Sequence, residues 1–343
     1  MAFAKPTHVA APLVAVLGLS LWALAGGRAG DRSTDSTPAS RKTNHPQWGL
    51  YQIYWGPRIF ESILRREVAT FATPPDYVMF YRDLGRPFPA EGIAPIRAVG
   101  ATPIISLELW HWHDHRRKCL PAIVAGDYDR QLERWASQAK QDGQRVLLRF
   151  GFEANGDWFS WGGDPTTYVQ AWRRAHDIFT RAGADNVEWV WSPNAVSIPR
   201  TPANSLHHYY PGGAYVDWVA LDGYNWGPDH DQWHHWESFD EVFGPALKLF
   251  AERYPEKPIM IAETGCVIGP EGAKAAWIRD AYRAVADHPK IKALIWFNYD
   301  KRGEGEPDWR INTSTDTLEA FNKTFAAPGP DGPPPPDPKP ASR

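Results

Sequence analysis

The sequence predicts a single (β/α)8 barrel, the TIM barrel of the α/β class. Strand and helix patterns alternate between about residues 45 and 326, and eight candidate strands can be counted. Eight β/α units in about 280 residues suit this fold, which typically needs about 250. The loops after strands are long and rich in tryptophan and histidine, whereas loops after helices are short, as at 181–186 and 254–257. In this fold the loops after the strands form the active-site face.

Each candidate strand is a short, mostly apolar run of the kind that a buried parallel sheet requires. A doubly wound sheet is the competing fold, and it would place a glycine-rich phosphate turn after the first strand. Gly56-Pro57-Arg58 is not such a turn, which favours the barrel. The candidates are Gly49–Gly56, Tyr77–Arg82, Thr102–Trp110, Arg145–Glu153, Val187–Asn194, Val216–Tyr224, Pro258–Glu263 and Lys292–Tyr299.

Three intervening helices are marked by apolar residues at helical spacing. The first begins at Asp164-Pro165 and ends at Gly183, a start and a stop that both suit helix termini. The second begins with a capping box formed by Ser238 and Glu241. The third carries its apolar face on Trp277, Ile278, Ala281, Tyr282 and Val285.

The N-terminus is predicted to be a secretory signal peptide, residues 1–25. An apolar run from Val9 to Ala25 follows Lys5, and Ala23-Leu24-Ala25 fits a small-residue cleavage site. An uncleaved membrane anchor is the alternative, because the run approaches the lower limit of about 17 residues for a spanning helix. We therefore expect a secreted protein.

The segments that flank the predicted barrel, 45–326, have a different composition. Residues 26–44 are rich in Ser, Thr, Asp and Arg and are predicted to be a linker. Residues 327–343 are proline-rich and are predicted to be a disordered tail.

The composition limits the partners that the protein is expected to have. A net charge of −3 gives no reason to expect nucleic acid or an anionic membrane. The 18 tryptophans are unusual. About half are expected in the core, since Trp is usually well buried. The others suit sugar binding, because the C–H face of a pyranose packs on an aromatic ring. The two cysteines, Cys119 and Cys266, show no metal spacing, and the sequence does not decide whether they pair.

One stretch, RFGFEANGDWFSWGG from Arg149 to Gly163, organises the chain. It is an apolar strand that ends in a carboxylate, Glu153, followed by aromatic residues. A second carboxylate, Glu263, ends the seventh strand in IMIAETG. Either glutamate alone would be interpreted as a loop salt bridge. Two carboxylates on nearly opposite strands match glycoside hydrolysis, in which one protonates the leaving oxygen and the other attacks the anomeric carbon or activates water.

Four segments in order resemble glycoside hydrolase family 26, a clan A family that includes β-mannanases and some β-1,3/1,4-glucanases and β-1,3-xylanases. The resemblance is specific where Glu-x-Asn-Gly-x-Trp meets Trp-Ser-Pro-Asn, weak before residue 100, and absent from the tails. The segments are FEANGDWFSWGG (152–163), VEWVWSPN (Val187–Asn194), YYPGGAYVDWVALDGYNW (Tyr209–Trp226) and IAETG (Ile261–Gly265).

The resemblance implies a catalytic domain at 45–326 that acts on a polysaccharide or oligosaccharide without a metal or another cofactor. We expect a monomer, although the sequence does not determine the oligomeric state. Glu153 would be the general acid/base and Glu263 the nucleophile of a retaining endo-β-glycosidase. Tyr224 would orient the nucleophile by a hydrogen bond, although packing at the barrel mouth is its alternative role. The implied substrate-binding residues are Trp158, Tyr224 and Trp296 around the sugar, with Trp161 and Trp110 at outer subsites.

Phe152 departs from the family pattern, which usually has His immediately before the acid/base glutamate. A residue there normally reaches the 2-hydroxyl of the bound sugar, and Phe makes no such hydrogen bond. The substrate therefore stays open between β-1,4-mannan, favoured by family frequency, and a β-glucan. Phe152 would also dry the surroundings of Glu153 and help to keep it protonated.

Three rival functions remain. A structural wall-associated protein rests only on the N-terminal apolar segment and the proline-rich tail and predicts nothing about the barrel mouth. A non-catalytic sugar-binding protein on this scaffold is supported by Phe152 but does not need two neighbouring carboxylates. A metallohydrolase would usually place His-x-His at the end of the first strand, whereas here it follows the third. The histidines and aspartates that suggest a metal are interpreted instead as polar loop residues that line a sugar cleft. They are His111, His113, Asp114, His115, Asp229, His230, His234 and His235.

Overall fold

Eight parallel strands close into a barrel in chain order in the computed structural model of the protein, which describes residues 46–54, 56–229 and 234–325. The last strand pairs with the first, so the predicted (β/α)8 fold is confirmed. The strands are β1 Gln47–Tyr51, β2 Tyr77–Asp83, β3 Thr102–Glu108, β4 Val146–Phe150, β5 Val187–Trp191, β6 Trp218–Asn225, β7 Ile259–Cys266 and β8 Ile291–Trp296. The predicted signal peptide (1–25), linker (26–44) and tail (327–343) lie outside the described residues.

Helices surround the barrel, but the pattern of one helix after each strand is broken at two connections. Two helices lie between β3 and β4, and three short 3-10 turns rather than an α-helix connect β5 to β6. The helices are α1 Pro57–Val68, α2 Ala90–Ala98, α3 Leu120–Ala125, α4 Asp129–Asp142, α5 Pro165–Ala182, α6 Phe239–Arg253, α7 Ala273–Asp287 and α8 Thr315–Thr324.

The predicted helix ends agree with the structure. Asp164 caps α5 by accepting a hydrogen bond from the Thr167 amide, and Gly183 ends the helix in the left-handed conformation. Ser238 and Glu241 form the predicted capping box of α6. Most strands end earlier than predicted, so that Glu153 lies in a turn after β4 rather than in the strand itself.

The apolar core has two layers. A smaller cluster fills the barrel interior and includes Met79, Ile104, Leu147, Met260 and Ile295. A larger one lies between the strands and the helices. Since side chains alternate along a strand, each strand contributes to both layers.

Neither cysteine forms a disulfide: Cys119 and Cys266 are both buried and free. Within the described ranges, no helix is both long enough and apolar enough to cross a membrane.

Candidate active site

Glu263 lies at the barrel mouth and is held by three hydrogen-bond donors. Its Oε1 accepts from the Tyr81 hydroxyl at 2.8 Å and from Arg149 Nη1 at 2.7 Å, and its Oε2 accepts from the Tyr224 hydroxyl at 2.8 Å. Hydrogen bonds from neutral and charged donors stabilise a carboxylate in its ionised form. The arrangement fixes the orientation of Glu263 and leaves it suited to act as a nucleophile.

A β-bulge in β7 directs Glu263 inwards. Leu221 of β6 pairs with Ile261, and the next residue, Asp222, pairs with Glu263, so Ala262 is the extra residue. Such a bulge shifts the inward and outward alternation of the side chains by one position. Met260 and Ala262 face the barrel interior, so regular alternation would turn Glu263 outwards. Because of the bulge, Glu263 points into the mouth instead.

Arg149 of β4 forms a buried ion-pair network beneath the mouth. Its Nη1 also donates to Ser106 Oγ at 2.8 Å, and its Nη2 donates to Asp222 Oδ2 at 2.5 Å and to Ser192 Oγ at 3.1 Å. Burial works against the charge on Arg149, but Asp222 and Glu263 outweigh it and raise the pKa of the guanidinium. Since the Arg149 side chain is 0% exposed, these carboxylates are what allow its charge to be buried.

Glu153 follows β4 in a strained backbone conformation. Its φ of 51° makes it the one residue other than glycine with a positive φ in the part of the chain that the structure describes. Its amide donates to the Ser192 carbonyl at 2.8 Å, which anchors the turn. Strain of this kind persists only where the surrounding contacts impose it, and it is concentrated at functional sites.

The Glu153 carboxyl is buried between two donors. Oε1 accepts from Asn194 Nδ2 and Oε2 from the Trp158 indole, each at 2.7 Å. Burial and the nearby Glu263 charge raise the pKa of Glu153 to about 7, against the opposing effect of these two hydrogen bonds. A carboxyl group with a pKa near neutrality can both donate and accept a proton, as general acid/base catalysis requires.

Asn155 and Gly156 position the two donors of Glu153. Asn155 Oδ1 accepts from the Asn194 amide and its Nδ2 donates to the Asn194 carbonyl, both at 2.8 Å, which fixes the turn that carries Asn194. A Cβ at Gly156 would lie 2.3 Å from the Trp158 ring. Glycine is therefore required for the Trp158 indole to fold back towards Glu153.

The five aromatic residues expected around the sugar divide into two groups. Trp158 and Tyr224 are partly buried and bind the two carboxylates, as described above. The other three, Trp110, Trp161 and Trp296, are buried. Trp110 stacks on His115 at 4.2 Å, and Trp161 stacks on Phe159 at 4.4 Å and donates to the Phe152 carbonyl. Trp110 and Trp161 thus pack within the loops after β3 and β4 that carry the site.

The expectation that Trp296 forms a wall of the sugar site does not agree with the structure. Trp296 is 0% exposed, donates to the Trp309 carbonyl and packs on Trp277 in the layer between barrel and helices. The alternation of β8 turns the next residue, Phe297, towards the interior, where it stacks on Tyr51 at 4.5 Å. Trp309 instead packs against Tyr224 at the mouth, with centroids 4.8 Å apart.

Phe152 is a buried packing residue beside the donors of Glu263. It is 3% exposed, and its ring stacks on Tyr81 with centroids 5.2 Å apart and lies 4.9 Å from the Arg149 guanidinium carbon. Phe159 and Trp161 cover its edges. Phe152 therefore supports two of the groups that hold Glu263.

Sequence reasoning did not identify Tyr81, Arg149, Asp222 or Glu108 as site residues. All four are polar residues at inward positions near the C-terminal ends of strands, and that position is the signal by which they could have been found.

The histidines after β3 show no metal-binding arrangement. His111 pairs with the Tyr128 hydroxyl at 2.9 Å, and Trp110 packs on His115. Across residues 46–54, 56–229 and 234–325, no three His, Cys, Asp or Glu side chains group in a way that could hold a metal ion. His230, from the second histidine group, lies outside these ranges.

Comparison with known proteins identifies a family. The model of Glycosyl hydrolase family 26 matches residues 114–297. Endoglucanase H of Acetivibrio thermocellus is 36% identical over 237 residues, which cover 66% of this chain and 25% of that protein. Mannan endo-1,4-beta-mannosidase A and B of Caldalkalibacillus mannanilyticus is 33% identical over 118 residues, 31% of this chain and 22% of that protein. The chain thus spans about a quarter of the length of these curated relatives.

Solved structures show the same fold. A modular endo-β-1,4-mannanase from Cellulomonas fimi superposes with a TM-score of 0.59 at 19% identity, over 83% of this chain and 71% of that one. The Bacillus subtilis mannanase BCman superposes with a TM-score of 0.54 at 19% identity, over 83% of this chain and 87% of that one.

Proposed function

This chain belongs to glycosyl hydrolase family 26, and on that basis we propose that it is a retaining endo-β-glycosidase, with β-1,4-mannan as the first candidate substrate. The observation that carries the proposal is the contrast between the two carboxylates of the mouth. Glu263 accepts hydrogen bonds from Tyr81, Arg149 and Tyr224, whereas the pKa of Glu153 is raised to about 7. Two carboxyl groups whose environments differ in this way suit a nucleophile and an acid/base.

The proposed reaction is a double displacement. In the first step, Glu263 attacks the anomeric carbon while the bond to the leaving oxygen breaks, and Glu153 donates its proton to that oxygen. In the second step, Glu153 takes a proton from water, the water oxygen attacks the anomeric carbon, and the bond to Glu263 breaks. Both glutamates return to their starting state.

The first step also prepares Glu153 for the second. When Glu263 forms the glycosyl ester, its negative charge disappears, and with it one of the two causes that raise the pKa of Glu153. The hydrogen bonds from Asn194 and Trp158 remain, and they favour the carboxylate. Glu153 is thereby more readily ionised when it has to act as a base.

A β-glucan is the second candidate substrate, and the name of one relative supports it. A relative that matches 66% of this chain carries the name endoglucanase, whereas two shorter matches carry the name mannan endo-1,4-beta-mannosidase. Secretion and action as a monomer are further parts of this proposal and rest on the sequence.

Reducing-sugar release from a panel of polysaccharides tests the proposal. The panel contains galactomannan, glucomannan, mixed-linkage β-glucan, β-1,3-glucan and xylan, with Glu263→Ala run in parallel. We expect hydrolysis of a mannan or a β-glucan that is lost in the variant. Soluble, folded protein without activity on any polymer, or full activity in Glu263→Ala, would overturn it and favour a non-catalytic sugar-binding protein.

A further inference from the structure

A third carboxyl group at the barrel mouth, Glu108, has no part in the proposed double displacement. It ends β3, is buried, and accepts a hydrogen bond from the Trp112 indole at 2.5 Å. Its neighbour in the β2–β3 register is a second buried acid, Asp83, which accepts from the Trp112 amide at 3.0 Å. Trp112 thus contacts both acids, and the Arg86 guanidinium carbon lies 5.8 Å from the centroid of its ring.

Among the described residues, the hydrogen-bond donors of Glu108 are indoles rather than cations. Burial, together with the charges of Asp83 and Glu263, raises the pKa of Glu108 to about 7, while hydrogen bonds from Trp112 and Trp110 oppose the rise. Glu108 ends β3 at the mouth of the barrel, on the same face as Glu153 and Glu263. Burying a carboxyl group beside two others is unfavourable, and a purely structural role does not require it.

A structural counterpart lies at the opposite end of the same barrel. Glu188, near the start of β5, accepts from the Trp218 indole at 2.7 Å, and Arg145 binds it at 2.6 Å. Burial raises the pKa of Glu188, but the hydrogen bonds from Arg145 and Trp218 outweigh it and lower the pKa overall. Glu188, at the base of the barrel, is neutralised by Arg145, whereas the described partners of Glu108 at the mouth are indoles.

The remaining acceptor capacity of Glu108 suits sugar hydroxyls. A carboxylate has about four lone-pair positions, and the hydrogen bonds from the Trp112 and Trp110 indoles leave about two of them for a ligand. Sugar hydroxyls are neutral donors that bind a carboxylate without adding charge to a mouth that already contains Glu153 and Glu263. The Trp112 side chain, partly exposed, places an aromatic surface beside them.

We propose that Glu108 is a sugar-binding residue, positioned by Trp112, in a subsite on the β2–β3 side of the mouth that accepts hydroxyls of a β-linked oligosaccharide. This inference rests on the proposed function for the class of ligand. It adds a carboxylate contact that neither the acid/base nor the nucleophile supplies.

Binding measurements test this subsite independently of turnover. The full chain with Glu263→Ala serves as the background, and isothermal titration calorimetry measures its affinity for manno-, cello- and mixed-linkage hexasaccharides. We expect Glu108→Ala to weaken the binding of the tightest-binding hexasaccharide at least tenfold. Glu108→Gln is expected to weaken that binding less, because the amide keeps one acceptor. Trp112→Phe keeps an aromatic ring but loses the indole donor, so we expect an intermediate loss.

Glu188→Gln is the matched control, since it alters a carboxylate that is also bound by an indole but lies away from the mouth. We expect its affinity to stay within twofold of the background. Folded Glu108→Ala and Glu108→Gln variants that bind within twofold of the background would overturn the subsite, as would the absence of hexasaccharide binding in the background itself.

The same variants separate the two proposals. In the chain with both catalytic glutamates, Glu108→Ala is expected to raise KM more than it lowers kcat. Polysaccharide hydrolysis with unchanged affinity in the Glu108 variants would overturn the subsite alone. A tenfold loss of affinity in a chain that hydrolyses nothing would overturn the hydrolase and support the subsite.

Discussion

The ring of Phe152 stacks on the ring of Tyr81, and the Tyr81 hydroxyl donates to Glu263 at 2.8 Å. The residue that precedes Glu153 therefore supports the opposite carboxylate of the mouth. Phe152 therefore acts on the position of Glu263 rather than on the substrate directly.

Replacement of Phe152 by His is expected to destabilise the protein without creating mannan specificity. The site is buried and apolar, so the imidazole loses packing and has to bury a polar group, at a cost of about 2–4 kcal/mol in the free energy of unfolding. Urea denaturation and the ratio of mannan to glucan hydrolysis measure the two effects. Phe152→Leu is the apolar control. A stable Phe152→His variant that gains mannan preference would contradict this role.

Tyr224→Phe is expected to lower kcat with little change in KM. The substitution removes one hydrogen bond to the Glu263 carboxylate, worth about 1.5–3 kcal/mol for a bond to a charged group. That loss corresponds to a decrease of about 10- to 150-fold in rate. Tyr77→Phe is the control, because its hydroxyl binds Gln47 at the base of the barrel. Equal losses in both variants would point to general destabilisation.

Arg149→Met is expected to abolish activity and to destabilise the fold by about 3–5 kcal/mol, since it leaves Asp222 and Glu263 buried without their cation. Urea denaturation measures the change. Arg65→Met removes an exposed ion pair with Glu61 on α1, and there we expect a change within about 0.5 kcal/mol. A folded Arg149→Met protein with parental stability would show that the network is dispensable.

The pH dependence of kcat/KM is expected to follow Glu153. Activity falls as the pH rises through about 7, because the ionised group has no proton for the leaving oxygen. Asn194→Ala removes a donor that favours the carboxylate, so the pKa and the alkaline limb of the profile are expected to move to higher pH. Asn186→Ala, far from the mouth, is the control. A limb that moved to lower pH would contradict the assignment.

The fold was predictable because each β/α unit carries its own signals. Strand-sized apolar runs, the Asp164 cap and the Ser238–Glu241 capping box depend on local sequence alone, and they agree with the structure. The connection between β5 and β6 differs, since a series of 3-10 turns replaces the helix there.

The site was predictable in part. Glu153, Glu263 and Tyr224 follow strands in a recognisable motif, and the structure brings them together. Trp296 was misplaced because the direction of a side chain at the end of a strand depends on register, and a one-residue difference exchanges Trp296 for Phe297. The bulge at Ala262 and the contacts of Tyr81 and Arg149 depend on pairing between distant strands, which local sequence does not specify.

The anomeric configuration of the first product tests the central claim most directly. Proton NMR during early hydrolysis, on whichever polysaccharide of the panel is cleaved, distinguishes the two anomers before they interconvert. Attack by Glu263 followed by attack of water predicts that the β-anomer is released first. Initial release of the α-anomer would show a single displacement by water and would contradict the role of Glu263 as nucleophile.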